Sequence, residues 1–351
     1  MEINLNRILI IVLSTFTFVA LIIPYIKKLA FHVGAVDMPN NRRVNKIPMP
    51  TLGGLGIFLG FLLGYMLFGI DSPEMVSILI ASFLIVLLGI LDDIKPIKAS
   101  IKLVVQFIVA LILVFYGNML LDKIDFLGFY VEFGLLSYPL TVLFILGTVN
   151  CINLIDGLDG LVGGISSIYF LTIGIIAVIQ NRMGGIDVTL AFIMLGSTLG
   201  FLVHNFHPAK IYAGDTGSTF LGLMIAIIAL LGFKNVTLTS LVTPLLILGI
   251  PILDTGFAII RRLLKGQNPF APDKSHLHHQ LLNMRFSHRT TVLIIYGINI
   301  LFAVTSIIHT TKDPGLGKIL YFILVILCVW FVCATDIITD KKIIKGKKRK
   351  N

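Results

Sequence analysis

Residues 136–180 read LSYPLTVLFILGTVNCINLIDGLDGLVGGISSIYFLTIGIIAVIQ. Two apolar runs, 136–153 and 161–180, meet at the motif NLIDGLDG (153–160). Each run is long enough, as a helix, to cross a hydrocarbon core of about 30 Å. The motif carries Asp156 and Asp159 three residues apart, and on a continuing helix the two carboxylates would share a face. Gly157 and Gly160 loosen the backbone there and let it come close to a ligand. A carboxylate at the edge of hydrocarbon is costly, so a pair held there points to a functional site.

The rest of the chain follows the same pattern. Of 351 residues, 56% are hydrophobic and 13% charged, and the mean hydropathy is +0.97. This composition excludes a set of soluble domains and indicates an all-α integral membrane protein. Apolar runs fall at 8–26, 54–70, 75–91, 101–121, 136–153, 161–180, 188–204, 218–232, 240–260, 291–309 and 318–335, an expected eleven spans. The first lacks a small-residue cleavage site and reads as a retained span. Alternate connections hold 22 lysines and arginines on one side and 6 on the other. The positive-inside rule therefore predicts an outside N-terminus and a cytoplasmic C-terminus. Residues 1–335 are expected to form one polytopic membrane domain, and 336–351 a basic tail suited to anionic lipid. The net charge of +10 follows this topology. With no aromatic or groove-reading element beside it, nucleic acid is not an expected partner. Cys151, Cys328 and Cys333 lie in or beside apolar runs and form no metal-binding or disulfide pattern.

With this topology, carboxylates gather on the cytoplasmic side: Asp92-Asp93, Asp156 with Asp159, Asp215, and Asp254 within the ninth run. Adjacent acids followed by Lys95 and Lys98 suit a hard cation and a phosphate, because Mg²⁺ takes one or two carboxylates and completes its shell with phosphate oxygens and water. Gly214-Asp215-Thr216-Gly217-Ser218 is a sharp turn into a helix N-terminus, where free amides favour an anion or a bound metal diphosphate. HNFHP at 204–208 is unusually polar for the end of a span. The 265–289 connection holds Lys274, His276, His278 and His279. Without the spacing and acid of a zinc motif, these read as phosphate or sugar contacts, with a plain surface cluster as the alternative. Thr51 heads a glycine-rich entry to the second run that could admit a phosphate, although glycines there also serve simple helix packing. Asp254 reads as support for the site, with Arg261 two turns on.

Asp92-Asp93, NLIDGLDG (153–160), HNFHPAKIYAGDTGSTFLG (204–222) and DKSHLHHQLL (273–282) together resemble the polyprenyl-phosphate N-acetylhexosamine-1-phosphate transferases. The resemblance runs from Pro50 to about His288. It is closer to the WecA and TagO branch than to the MraY translocases, whose pattern differs at Leu277 and Gln280. It implies a Mg²⁺ ligand at Asp215, with Asp92 and Asp93 near the metal and the lipid phosphate, and Mn²⁺ as a substitute ion. It implies catalytic roles for Asp92, Asp93, Asp156 and Asp159. Substrate contacts follow at Thr51, Lys102, Asn153, Asn205, His276, His278 and His279.

The reaction so implied joins UDP-N-acetylglucosamine to undecaprenyl phosphate, with release of UMP, at the cytoplasmic face of a bacterial inner membrane. Membrane lipid is a partner, and a homodimer is compatible with the sequence. Direct attack by the lipid phosphate and a two-step route through an aspartyl intermediate are both open. A phospho-N-acetylmuramoyl-pentapeptide transferase is the alternative within the family. A prenyltransferase would want further acids spaced as in DxxxD after Asp92-Asp93. An ion-coupled transporter would want acids near the bilayer midplane.

Overall fold

In lipid a chain must close its own backbone hydrogen bonds, and the apolar runs do so as helices. The computed structural model describes residues 5–38, 48–126, 129–181, 184–234, 248–264 and 277–334. The helices are α1 (Leu5–Val33), α2 (Gly53–Phe68), α3 (Pro73–Ile94), α4 (Ala99–Leu111), α5 (Ser137–Ile155) and α6 (Leu161–Ile179). After these come α7 (Ile186–Asn205), α8 (Gly214–Lys234), α9 (Gly249–Leu264), α10 (Leu277–Asn283), α11 (His288–Thr311) and α12 (Pro314–Ala334). A π-helical turn, Ile112–Tyr116, extends α4. Among the described residues, 8 helices are long and apolar enough to cross a membrane, and α2 and Pro314–Trp330 are shorter apolar helices. The chain is thus an all-α, multi-pass membrane protein. The run at 240–260 lies partly outside the described residues, and residues 39–47, residues 265–276 of the 265–289 connection and the basic tail lie wholly outside them.

Helix starts follow local chemistry. Ser72 accepts the Met75 amide at 3.1 Å, with Pro73 in the first turn of α3. Ser287 does the same for Thr290 at 3.2 Å, opening α11.

Helix α8 is the axis of the bundle and packs against α2, α3, α5 and α7. Phe220, Leu221, Met224 and Ile227 on it are fully buried. Close approach depends on small residues, as is usual between membrane helices. A Cβ on Gly54 of α2 would strike the backbone of Gly217, one on Gly89 of α3 that of Thr216, and one on Gly222 of α8 that of Val149. A second apolar cluster joins Ile155, Leu158, Leu161, Leu281, Val292 and Phe302. Ile152 belongs to the first cluster and Ile155 to the second, so the end of α5 lies where the two meet.

Two short antiparallel ribbons depart from the all-helical expectation. Val36–Asp37 pairs with Met49–Pro50, and Lys123–Phe126 pairs with Phe129–Glu132. The first ribbon feeds a strap across the bundle end: the Tyr212 amide donates to Pro50 O at 2.8 Å, and the Gly53 amide to Tyr212 O at 2.9 Å.

Candidate active site

The ends of α3, α5, α7, α8 and α11 meet around a cavity of about 880 Å³. Lys102, in the first turn of α4, sets its ammonium 2.6 Å from Asp92 Oδ2 and also against Asp215 Oδ2. The other oxygen of Asp92 accepts the Ile97 amide at 2.7 Å. Asp215 Oδ1 faces Asn153 Nδ2 at 3.3 Å, and that nitrogen also donates to Ser218 Oγ at 2.8 Å. Two carboxylates from different helices therefore converge on one cation. Carboxylate oxygens are hard donors, and a pair of them fits a hard divalent ion.

Asp93 has a different task. Its Oδ1 accepts the Asp215 amide at 2.9 Å, and its Oδ2 accepts the Thr216 amide at 3.1 Å and the Thr216 hydroxyl at 2.6 Å. An acid at this position satisfies free amides and complements the helix dipole. Gly214 turns into the helix at φ 70°, where a side chain would meet Thr51 O and the Asp93 carboxylate. The sequence pairs Asp93 with Asp92 as metal ligands. The structure instead occupies both Asp93 oxygens in holding the α8 N-terminus.

A shared helical face for Asp156 and Asp159 is not formed. Helix α5 ends at Ile155, Asp156 leaves it at φ −70° and ψ 66°, and Gly160 is left-handed at φ 79°. The two acids separate in function as a result. Asp156 faces the cavity half-buried, and its carboxyl accepts no hydrogen bond among the described residues. Burial first, then the nearby charges of Asp215, Asp93 and Asp159, push its pKa up to about 8. Asp159 is held on all sides. Its Oδ2 lies 2.7 Å from His207 Nδ1 and accepts the Ala209 amide at 3.0 Å, while its own amide donates to His288 Nε2 at 2.9 Å.

The ligand atoms of Asp159, His207 and His288 lie within 4.8 Å of one another, close enough to suggest a metal. The geometry argues otherwise. The imidazoles are stacked, with centroids 4.3 Å apart and planes 18° from parallel. Nearly parallel rings cannot both hold one ion in their planes, and His288 Nε2 is already an acceptor. The trio is a hydrogen-bonded latch between the 156–160 loop, the 206–213 loop and α11. Arg289 adds to it by donating to His207 O at 3.2 and 3.0 Å.

Asn205 joins the same two loops from within. Its Oδ1 accepts the Gly160 amide at 3.0 Å and its Nδ2 donates to Ile211 O at 2.9 Å. Expected as a substrate contact, it instead has both amide ends on the backbone. Thr51 lines the cavity while its hydroxyl donates to Ala35 O at 3.1 Å. His279 lines the cavity from α10. His278 falls on the same helix, and its side chain and the whole of His276 lie outside the described residues. Asp254 Oδ1 accepts the Leu277 amide at 2.8 Å, which ties the start of α10 to α9. His288 and the latch role of His207 were missed by the sequence reading. The polarity of HNFHP was a signal for the second, and nothing near His288 signalled the first.

A mainly helical membrane protein whose span ends bring acids, a lysine and histidines into one cavity of about 880 Å³ fits a membrane phosphotransferase in class. The model for glycosyl transferase family 4 matches residues 75–233, from α3 to α8. The chain is 44% identical over 338 residues (95% of it, 94% of the relative) to the Bacillus subtilis (strain 168) protein named "Probable undecaprenyl-phosphate N-acetylglucosaminyl 1-phosphate transferase". It is 34% identical to the decaprenyl-phosphate N-acetylglucosaminephosphotransferase of Mycobacterium tuberculosis (strain CDC 1551 / Oshkosh), over 83% of this chain and 80% of that one. It is 29% identical to the undecaprenyl-phosphate alpha-N-acetylglucosaminyl 1-phosphate transferase of Escherichia coli O157:H7, over 83% and 81%. The chain belongs to the polyprenyl-phosphate N-acetylhexosamine-1-phosphate transferase family.

Proposed function

We propose that this protein transfers N-acetylglucosamine 1-phosphate from UDP-N-acetylglucosamine to undecaprenyl phosphate, the first membrane step of a cell-envelope glycan. The observation that carries this reading is the convergence of Asp92 and Asp215 on the Lys102 ammonium at the cavity. In the reaction, an oxygen of the lipid phosphate bonds to the sugar-bearing phosphorus. The bond from that phosphorus to the bridging oxygen breaks, and UMP leaves with the oxygen.

Asp215 and Asp92 would hold Mg²⁺, with Asp93 fixing the helix end behind them. The ion, when bound, neutralises charge on the diphosphate oxygens. Lys102 supplies a second positive charge to the phosphates, and positioning with charge neutralisation dominates this kind of transfer. The Asp156 carboxyl also faces this space and, when protonated, can donate a hydrogen bond to a phosphate oxygen. His279 faces the same space and suits the diphosphate. The lipid phosphate is already mostly ionised, its second pKa being about 6, so little base catalysis is needed.

The proposed topology is eleven spans with the N-terminus outside and the site at the cytoplasmic face of the inner membrane. There a soluble nucleotide and an interfacial lipid phosphate can meet. The test is UMP release by purified protein given both substrates and Mg²⁺. No release with any divalent metal, or release untouched by Asp215→Asn, would overturn the reading.

A further inference from the structure

Gln106 and Asn150 form an amide pair within the membrane, away from the cavity, and the transfer as described makes no use of them. Asn150 Nδ2 donates to Gln106 Oε1 at 2.7 Å and to Leu146 O of its own helix at 2.8 Å. Gln106 is 3% exposed and lies inside the span Ala99–Tyr116. Polar side chains buried between membrane helices hydrogen-bond across the contact and fix how the helices meet.

What this pair fixes is visible from its neighbours. Gln106 lies four residues after Lys102 on α4, and Asn150 lies three before Asn153 on α5, so each amide shares a face with a site residue one turn away. The two helices are thus joined by two rungs. The upper rung runs from Lys102 through Asp215 to Asn153, and the lower is the amide bridge.

Most of the apolar surface of α4 is exposed, and its deeper packing lies at Leu113 and Val114 of the π-helical turn that extends it. Ile101, Leu103, Val104, Phe107 and Ile108 are exposed on it, and its buried residues are Gln106, Val109 and Ala110. Lys98, at its N-cap, makes no side-chain capping bond. Apolar contacts at Val109 and Ala110 are non-directional. The amide bridge is directional.

We infer that Gln106 and Asn150 are positioning residues for the transfer: their bridge sets the rotation of α4 about its axis, and with it the reach of Lys102 between Asp92 and Asp215. The inference rests on the transferase reading above.

The test keeps an amide at both positions, so that a polar pair remains in the membrane and folding is preserved. Gln106→Asn shortens one side of the bridge and Asn150→Gln lengthens the other, while the double exchange restores the total span. Each single variant is expected to lose about 10- to 100-fold in kcat, the scale of a misplacement of about 1 Å. The KM for UDP-N-acetylglucosamine and the yield of folded protein should stay near wild type. The double exchange should recover activity to within about threefold of wild type, since the restored bridge returns the positioning that the misplacement cost. Single variants within twofold of wild type, or a double exchange no better than the singles, would overturn the inference. Loss of folded protein in step with activity would overturn it too, by making the pair merely structural. Wild-type protein that releases no UMP at all would instead count against the transferase reading itself.

Discussion

Asp159 Oδ2 lies 2.7 Å from His207 Nδ1, a contact that joins the 156–160 loop to the 206–213 loop. Asp159 is 11% exposed as a side chain, and without the imidazole its Oδ2 keeps only the Ala209 amide. His207→Ala should lower stability by about 1 kcal/mol, the net worth of one hydrogen bond. Thermal unfolding in detergent would read this as a lower Tm. An unchanged Tm would remove the latch from the account of the site.

Asp93 supports α8 through two amides and a hydroxyl. Asp93→Ala should cost about 0.5–2 kcal/mol as a lost helix cap and reduce transfer, because the capped residue is Asp215. Thr216→Val removes only the hydroxyl and should do less on both counts. The reverse order of effects, measured by unfolding and UMP release, would contradict the capping role.

Asp215 and Asp92 should bind divalent metal together. Asp215→Asn and Asp92→Asn are each expected to weaken Mn²⁺ binding by at least about tenfold, a scale reached even by residues that only support metal ligands. Titration by electron paramagnetic resonance reads this without turnover. Unaltered Mn²⁺ affinity in both variants would move the metal elsewhere in the cavity.

Asp156 gives the site a pH dependence whose sign can be worked out. Its pKa rises from an ordinary carboxylate value to about 8 in the folded protein. Between these values the folded state holds a proton that the unfolded state releases. The stabilisation is complete below the ordinary value and is lost as pH rises through about 8. In metal-free protein, Tm should therefore fall with rising pH across this window. Asp156→Asn should flatten that part of the profile, and a wild-type slope in the variant would assign it to another group.

His279 borders the cavity from the short helix α10. His279→Ala should depress UMP release while the amount of folded protein stays constant. Equal loss of both would make the imidazole a packing residue.

The spans were legible because lipid leaves a long apolar run one common solution, and the acids because charge near hydrocarbon is rarely idle. What could not be read depends on backbone turns and on contacts between distant segments. Asp156 and Asp159 look like one helical face until Gly160 turns left-handed and sends them to different partners. Asp93 looks equivalent to Asp92 because adjacent acids differ only in direction, and direction follows from where α8 begins. His288 carries no local signal, since its partner is a backbone amide on a distant loop. The ribbon Val36–Asp37 with Met49–Pro50 has two residues a side, too few for an alternating pattern to appear.

Nearly all residues of helix α8 are buried along its span, and it carries Asp215 on its tip, with glycines where its neighbours touch it. Almost any side-chain enlargement along it must displace a neighbouring helix. An inhibitor that draws its affinity from this tip would meet a target with few routes to resistance by point mutation. The lipid-facing surface of α4, free to vary in size and shape, offers many more.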